Sequence, residues 1–112
     1  MLPVHVVQRQ FEAYNAHDLG AFLETYAENA ELYRAPSTEP VASGKAAISE
    51  LYATKVFTVS NHRAELLGRM VCGTQVVDHE RVFGLRERPF EVVAVYHVAN
   101  GLIERVWLFP GE

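Results

Sequence analysis

The chain has 112 residues, 49% of them hydrophobic and 21% charged, with a formal net charge of -4; that supports one hydrophobic core and one domain over 1–112, not two. The lysines and arginines form no run, so no basic field is available for phosphate backbones and nucleic acid is not an expected partner. Cys72 is alone, which excludes an internal disulfide; no apolar run approaches the roughly 20 residues of a bilayer span and no charged-then-apolar leader opens the chain, so the expectation is a cytoplasmic protein away from membranes.

Val4, Val7, Phe11 and Tyr14 recur at helical spacing until the polar stretch Asn15-Ala16-His17-Asp18. Asp18 is placed to cap a second helix carrying Leu19, Phe22, Leu23 and Tyr26 on one stripe, which makes a helical hairpin. Ala30 to Ala35 alternates as a short strand, closed by the loop Pro36 to Pro40. Ser43 offers a cap for a third helix with Ile48, Leu51 and Tyr52 on one face.

From Asn61 to Phe109 the period changes to two, with breaks at Gly73-Thr74, Leu85 to Pro89 and Asn100-Gly101, which predicts four long antiparallel strands. Asn100-Gly101 suits a type I′ hairpin turn; on that turn His97 opposes Glu104, Val95 opposes Val106, Val93 opposes Leu108 and Tyr96 opposes Arg105. The fold class is therefore α+β, with three N-terminal helices on one mainly antiparallel sheet.

The strand Val76 to Gly84 carries Asp78, His79, Glu80 and Arg81 in a row. An even-numbered turn within Gly84 to Pro89 puts Asp78 and Glu80 on the His97 face, and an odd-numbered one puts His79 and Arg81 there; periodicity does not choose.

Helices first and a long meander last is the order of the nuclear-transport-factor-2-like superfamily, the cone-shaped, cystatin-like α+β roll of ketosteroid isomerases, limonene epoxide hydrolases and SnoaL-like polyketide cyclases. His17-Asp18-Leu19 through Tyr26-Ala27-Glu28-Asn29-Ala30 resembles the "GD…YAxDA" passage of those families, Gly44-Lys45-Ala46-Ala47-Ile48 through Tyr52 their "G(R/K)xxI…Y" helix, and Asn100-Gly101-Leu102-Ile103 their final "xGxI" hairpin. The resemblance implies a strongly curved sheet around an internal pocket. It does not imply an activity. The isomerases' general-base Asp falls on Arg34, their oxyanion-hole Asp on Val93 and their oxyanion-hole Tyr on Gln10, while Tyr26 and Tyr52 match two supporting tyrosines. Glu80-Arg81-Val82 resembles the epoxide hydrolases' "ERVD" strand, with Phe83 and Leu108 in place of its two acids.

In the epoxide hydrolases that Arg points into the cone, so the resemblance implies that His79, Arg81 and Phe83 face inward with Val93, Val95 and His97. The expected pocket is then lined by Tyr14, Tyr26, Arg34, Tyr52, His79, Arg81, Val93, Val95, Val106 and Leu108, with His97 and Glu104 as the candidate acid–base pair. Such a lining suits a small apolar organic ligand with an oxygen or carboxylate, for binding or for proton transfer of the isomerase, cyclase or dehydratase type. The competing reading of the same residues is a non-catalytic protein whose cone is filled by its own side chains. His62, His79 and His97 include no close ligand pair, so no metal and no cofactor is expected. On this facing the outer sheet surface, with Tyr96, Trp107 and Phe109, is too apolar to stay bare, and the expected partner is a second copy of the chain.

Overall fold

A computed structural model describes residues 2–111. Helix α1 (Pro3–Asn15) opens with Pro3 in its first turn, where a missing N–H costs nothing. Helix α2 (Leu19–Glu24) is capped by Asp18, whose side chain accepts from the Ala21 N–H at 3.0 Å. It is shorter than its apolar stripe implied: Tyr26 begins strand β1 (Tyr26–Arg34) instead of ending the helix. A two-residue strand β2 (Ala42–Ser43) pairs back onto β1, so Ser43 is in the sheet, and Gly44, at φ 91°, takes the N-cap position of α3 (Lys45–Lys55). Strands β3 (Arg63–Cys72), β4 (Gln75–Phe83), β5 (Phe90–Ala99) and β6 (Leu102–Pro110) complete the order.

The strands form one open six-stranded sheet in the order β2-β1-β6-β5-β4-β3, antiparallel except for the β1–β6 pair. Irregular pairing interrupts β1 between Tyr26 and Glu31, β3 between Leu66 and Gly68, and β5–β6 at His97/Val98. Such bulges bend strands and raise local twist, which lets the sheet wrap its helices. Helix α1 lies across β3 to β6, and α2 and α3 pack on β1. Phe22, fully buried, has the rings of Tyr52, Tyr26 and Phe57 at 4.8, 5.2 and 5.4 Å. Removing such a ring from water contributes about 2–3 kcal/mol before packing terms.

The β4–β5 connection has an odd residue count, with Val82 opposite Phe90, so His79 and Arg81 do share a face with Val93, Val95 and His97. That face is the one turned away from the helices. Val76, Asp78, Glu80 and Val82 on β4, with Val92, Ala94, Tyr96 and Val98 on β5, are the buried set. Facing was not legible because β5 is apolar on both sides, so either alternation could have met the core.

The hairpin at Asn100-Gly101 forms as expected at its tip, with Val98 opposite Ile103 and Ala99 opposite Leu102. Beyond the tip the extra residue Glu104 shifts the register by one: His97 pairs with Arg105, Val95 with Trp107, Ala94 with Leu108 and Tyr96 with Val106. Val106 and Leu108 therefore face the helices while Val93 and Val95, expected beside them, do not. Trp107 and Phe109 lie on the outer face as expected; Tyr96, expected there too, is buried under the helices. No helix among the described residues is long and apolar enough to cross a membrane.

Candidate functional site

Between α1, α3 and the inner face of the sheet lies a cavity of about 310 Å³. Its lining joins apolar residues, including Phe11, Leu32, Leu51 and Val92, to Tyr14, Tyr52, Tyr96, Gln10 and Glu80; Arg34, Lys55 and Arg86 border it among the exposed residues. A cavity of this volume is large enough to admit a small organic molecule.

Glu80 is the unusual group. It is 8% exposed and makes no hydrogen bond or ion pair among the described residues. Burial pushes its carboxyl up to about 7, the neighbouring charge of Asp78 adds to the rise, and Arg69 opposes it. Asp78, two residues earlier on the same face, is fully buried but held by Arg69: Nε donates to Oδ1 at 2.7 Å and Nη2 to Oδ2 at 3.0 Å. Arg69 also donates to Gln8 Oε1 on α1 at 2.7 Å, which fixes the fork across the sheet–helix boundary. One acid of the pair is neutralised by structure and the other is left facing the cavity.

Three tyrosines surround this carboxyl. Burial is the largest cause raising each of them: Tyr52 is pushed up to about 12, and Tyr14 and Tyr96 go higher, so all keep their phenolic protons at neutral pH. Their hydroxyls make no hydrogen bond among the described residues and are free to donate to a guest. Tyr26, the fourth, is fully buried behind the cavity and accepts from Gln10 Nε2 at 3.2 Å.

Of the residues expected from sequence, Tyr14, Arg34, Tyr52 and Leu108 border the cavity; Tyr26 and Val106 belong to the core next to it. His79, Arg81, Val93, Val95 and His97 do not enter it. His79 lies 2.6 Å from Glu91, and Arg81 bridges Glu65 at 3.0 Å and Glu91 at 3.4 Å, all on the outer face. His97 and Glu104 do meet, at 3.8 Å, but in a half-exposed position outside the cone, so the pair has no access to a guest inside it. His62, His79 and His97 do not converge: His62 is buried at the α1–β3 junction and the other two sit on the outer face. The missed residue is Glu80. Its only signal was the pair of acids at i and i+2 on a strand face otherwise formed by Val76 and Val82.

A family model for the SnoaL-like domain matches residues 7–106, and the chain belongs to that family, within the nuclear-transport-factor-2-like superfamily. A search of curated proteins matched none. Among solved structures the chain is similar to an uncharacterised cystatin-fold protein from Novosphingobium aromaticivorans, with 24% identity, coverage of 96% of this chain and 97% of that one, and a TM-score of 0.88. It is also similar to a candidate ketosteroid isomerase from Kribbella flavida (17% identity, 96% and 76% coverage, TM-score 0.84) and a candidate polyketide cyclase from Sinorhizobium meliloti (23%, 93% and 93%, 0.80). These likenesses establish the fold.

Proposed function

We propose that the cavity binds a small, largely apolar organic molecule bearing a carbonyl oxygen, and that Glu80 exchanges protons with it. The observation that carries the reading is the Glu80 carboxyl in the cavity wall, without a partner among the described residues and with a proton affinity near neutral pH. A group that is half protonated at working pH can both take a proton and return it. In the reaction that fits, the Glu80 carboxylate removes a proton from the carbon next to the carbonyl, and the C–H electron pair moves into an enolate. A tyrosine hydroxyl from Tyr14, Tyr52 or Tyr96 donates to the enolate oxygen, and Glu80 then returns the proton to the same or another carbon. No oxidant or cofactor is needed. Isomerase and cyclase names among the similar structures are consistent with proton movement at carbon. The base would be this chain's own, on β4, since the isomerases' base position here holds Arg34.

The test is α-proton exchange of 2-tetralone and cyclohexanone in D₂O, followed by NMR. Wild-type protein should accelerate exchange and Glu80→Gln should not. Equal exchange by both retires Glu80 as the base.

A separate observation favours a second copy of the chain as partner. On the outer face the register aligns Val77, Val95, Trp107 and Tyr33 in one row across four strands, with Val93 and Phe109 in the adjacent row. The row is rimmed by charges of both signs, Arg81, Glu65 and Glu91 at one end and Arg105 and Glu31 at the other, so the patch complements itself under two-fold rotation. Sedimentation at micromolar concentration should give a dimer. A monomer overturns this assignment.

A further inference from the structure

We infer that the guest carries an anionic group, a carboxylate by preference, held at the cavity mouth by Arg34, Lys55 and Arg86 while its apolar body points toward Glu80. The inference rests on the cavity being a binding site and concerns which molecules enter it.

The distribution of charge supplies the argument. Acids outnumber lysines and arginines 14 to 10 in this chain. Away from the cavity, most cations have found a carboxylate: Lys45 with Glu28, Arg69 with Asp78, Arg81 with Glu65 and Glu91, Arg105 with Glu31. The three that border the cavity have none among the described residues, and Glu80, at the buried end, is the single acid in the lining. Three exposed cations on the rim of one cavity, whose lining holds no acid but Glu80, give that rim a positive potential that favours an anionic guest.

Local roles explain part of this. Lys55 ends α3, where a cation complements the helix dipole, and the Arg86 guanidinium lies 3.9 Å from the centre of the Phe90 ring. Neither role needs the side chain at the cavity, and Arg34, at the end of β1, has no such role. Stacking also holds the Arg86 fork in place, which lowers the entropy cost of grasping a carboxylate. Glu80 sets the orientation. Its negative form repels an anion at the buried end, so the charged group of the guest stays at the mouth and its neutral end reaches the carboxyl and the tyrosines.

The experiment uses three matched pairs, octanoate, 4-phenylbutanoate and 2-naphthylacetate against their methyl esters, with affinities measured by calorimetry for wild type, for the triple variant Arg34→Gln/Lys55→Gln/Arg86→Gln, and for Leu51→Trp, which blocks the cavity. The acids should bind wild type roughly tenfold more tightly than their esters, as charge-assisted contacts allow. That ratio should fall toward one in the triple variant with ester affinity unchanged, and should shrink with added salt. Acids and esters binding alike to wild type, with binding abolished by Leu51→Trp, overturns the anion inference and leaves the cavity reading standing. An acid preference that survives in the triple variant overturns it as well. If none of the six compounds binds, the cavity reading falls and this inference with it.

Discussion

Asp78 and Glu80 stand two residues apart on one face of β4, and only Asp78 has a cation: Arg69 grips both of its oxygens, while Glu80 looks into the cavity with no partner among the described residues. The strand thus carries one acid that is paired and one that is not.

Glu80 should make the protein less stable as pH rises. Its folded-state value, about 7, lies above the ordinary 4.5, so the native state binds the proton more tightly than the unfolded chain does. The associated stabilisation is complete below pH 4.5 and is lost as pH climbs through about 7. The difference is of order 3 kcal/mol between those limits. Glu80→Gln should therefore raise Tm at pH 8 while abolishing proton exchange. A Tm unchanged or lowered at pH 8 contradicts the burial argument.

Removing the neighbouring charge should shift Glu80 itself. Asp78 raises the Glu80 value and Arg69 lowers it, so Asp78→Asn deletes the first influence and leaves the second. The Glu80 midpoint, followed by ¹³C NMR of its carboxyl, should move to lower pH, and any pH-dependent ligand binding should move with it. Movement to higher pH would show that the Asn amide or a rearranged Arg69 dominates.

Arg69→Met should be among the most damaging single changes. It leaves the fully buried Asp78 without its cation and cuts the bond to Gln8 on α1. The expected cost is about 3–5 kcal/mol, measured by urea denaturation at pH 7. A loss under about 1 kcal/mol would mean that water reaches Asp78.

His62 ties α1 to the start of β3. Its Nδ1 and Nε2 lie 2.9 Å from the carbonyl oxygens of Val59 and Tyr14, and its ring stacks on His17 at 3.8 Å. His62→Phe keeps the ring and loses both contacts, leaving the Val59 and Tyr14 carbonyls only their backbone donors, the N–H groups of His62 and His17 at 3.2 Å; the expected cost is about 0.5–1.5 kcal/mol for each hydrogen bond lost. Hydrogen exchange should localise the loss to the C-terminal turn of α1. Protection unchanged there would remove His62 from this role.

Trp107 occupies the middle of the outer apolar row, stacked at 5.9 Å on Tyr33. Trp107→Glu would bury a charge twice in a two-fold interface, so sedimentation should show the variant as a monomer at concentrations where wild type is dimeric. A dimer of unchanged affinity would move the interface elsewhere.

Much of the architecture was legible in the chain. The Asp18 cap, the helical hairpin, the period-two run and the Asn100-Gly101 turn are local signals, each set by the chemistry of a few adjacent residues. What was hidden is non-local. Tyr26 fits a helical stripe, yet it pairs with Ile103 more than seventy residues away. Glu104 gives no sign in sequence that it will bulge, though it sets Val95 beside Trp107 and Ala94, in place of Val93, beside Leu108. On the helices the expected Tyr14 and Tyr52 do line the cavity, whereas the facing of the strands is reversed: an acid in a strand reads as solvent-facing, and Glu80 is inside.

Gly84 marks a boundary with practical meaning. At φ 92° it follows β4, and a Cβ there would lie 2.7 Å from the Asn61 carbonyl oxygen and 3.0 Å from the His62 Cα. The backbone beside the cavity opening is therefore anchored at a point that no side chain can occupy. The next residues, Leu85 and Arg86, hang over the opening, and the loop runs on exposed to Pro89. Part of the cavity rim is thus carried by a segment outside the packed core, and under the proposed binding role a library randomised over 85–89 with Gly84 held constant should alter guest preference at little risk to the scaffold.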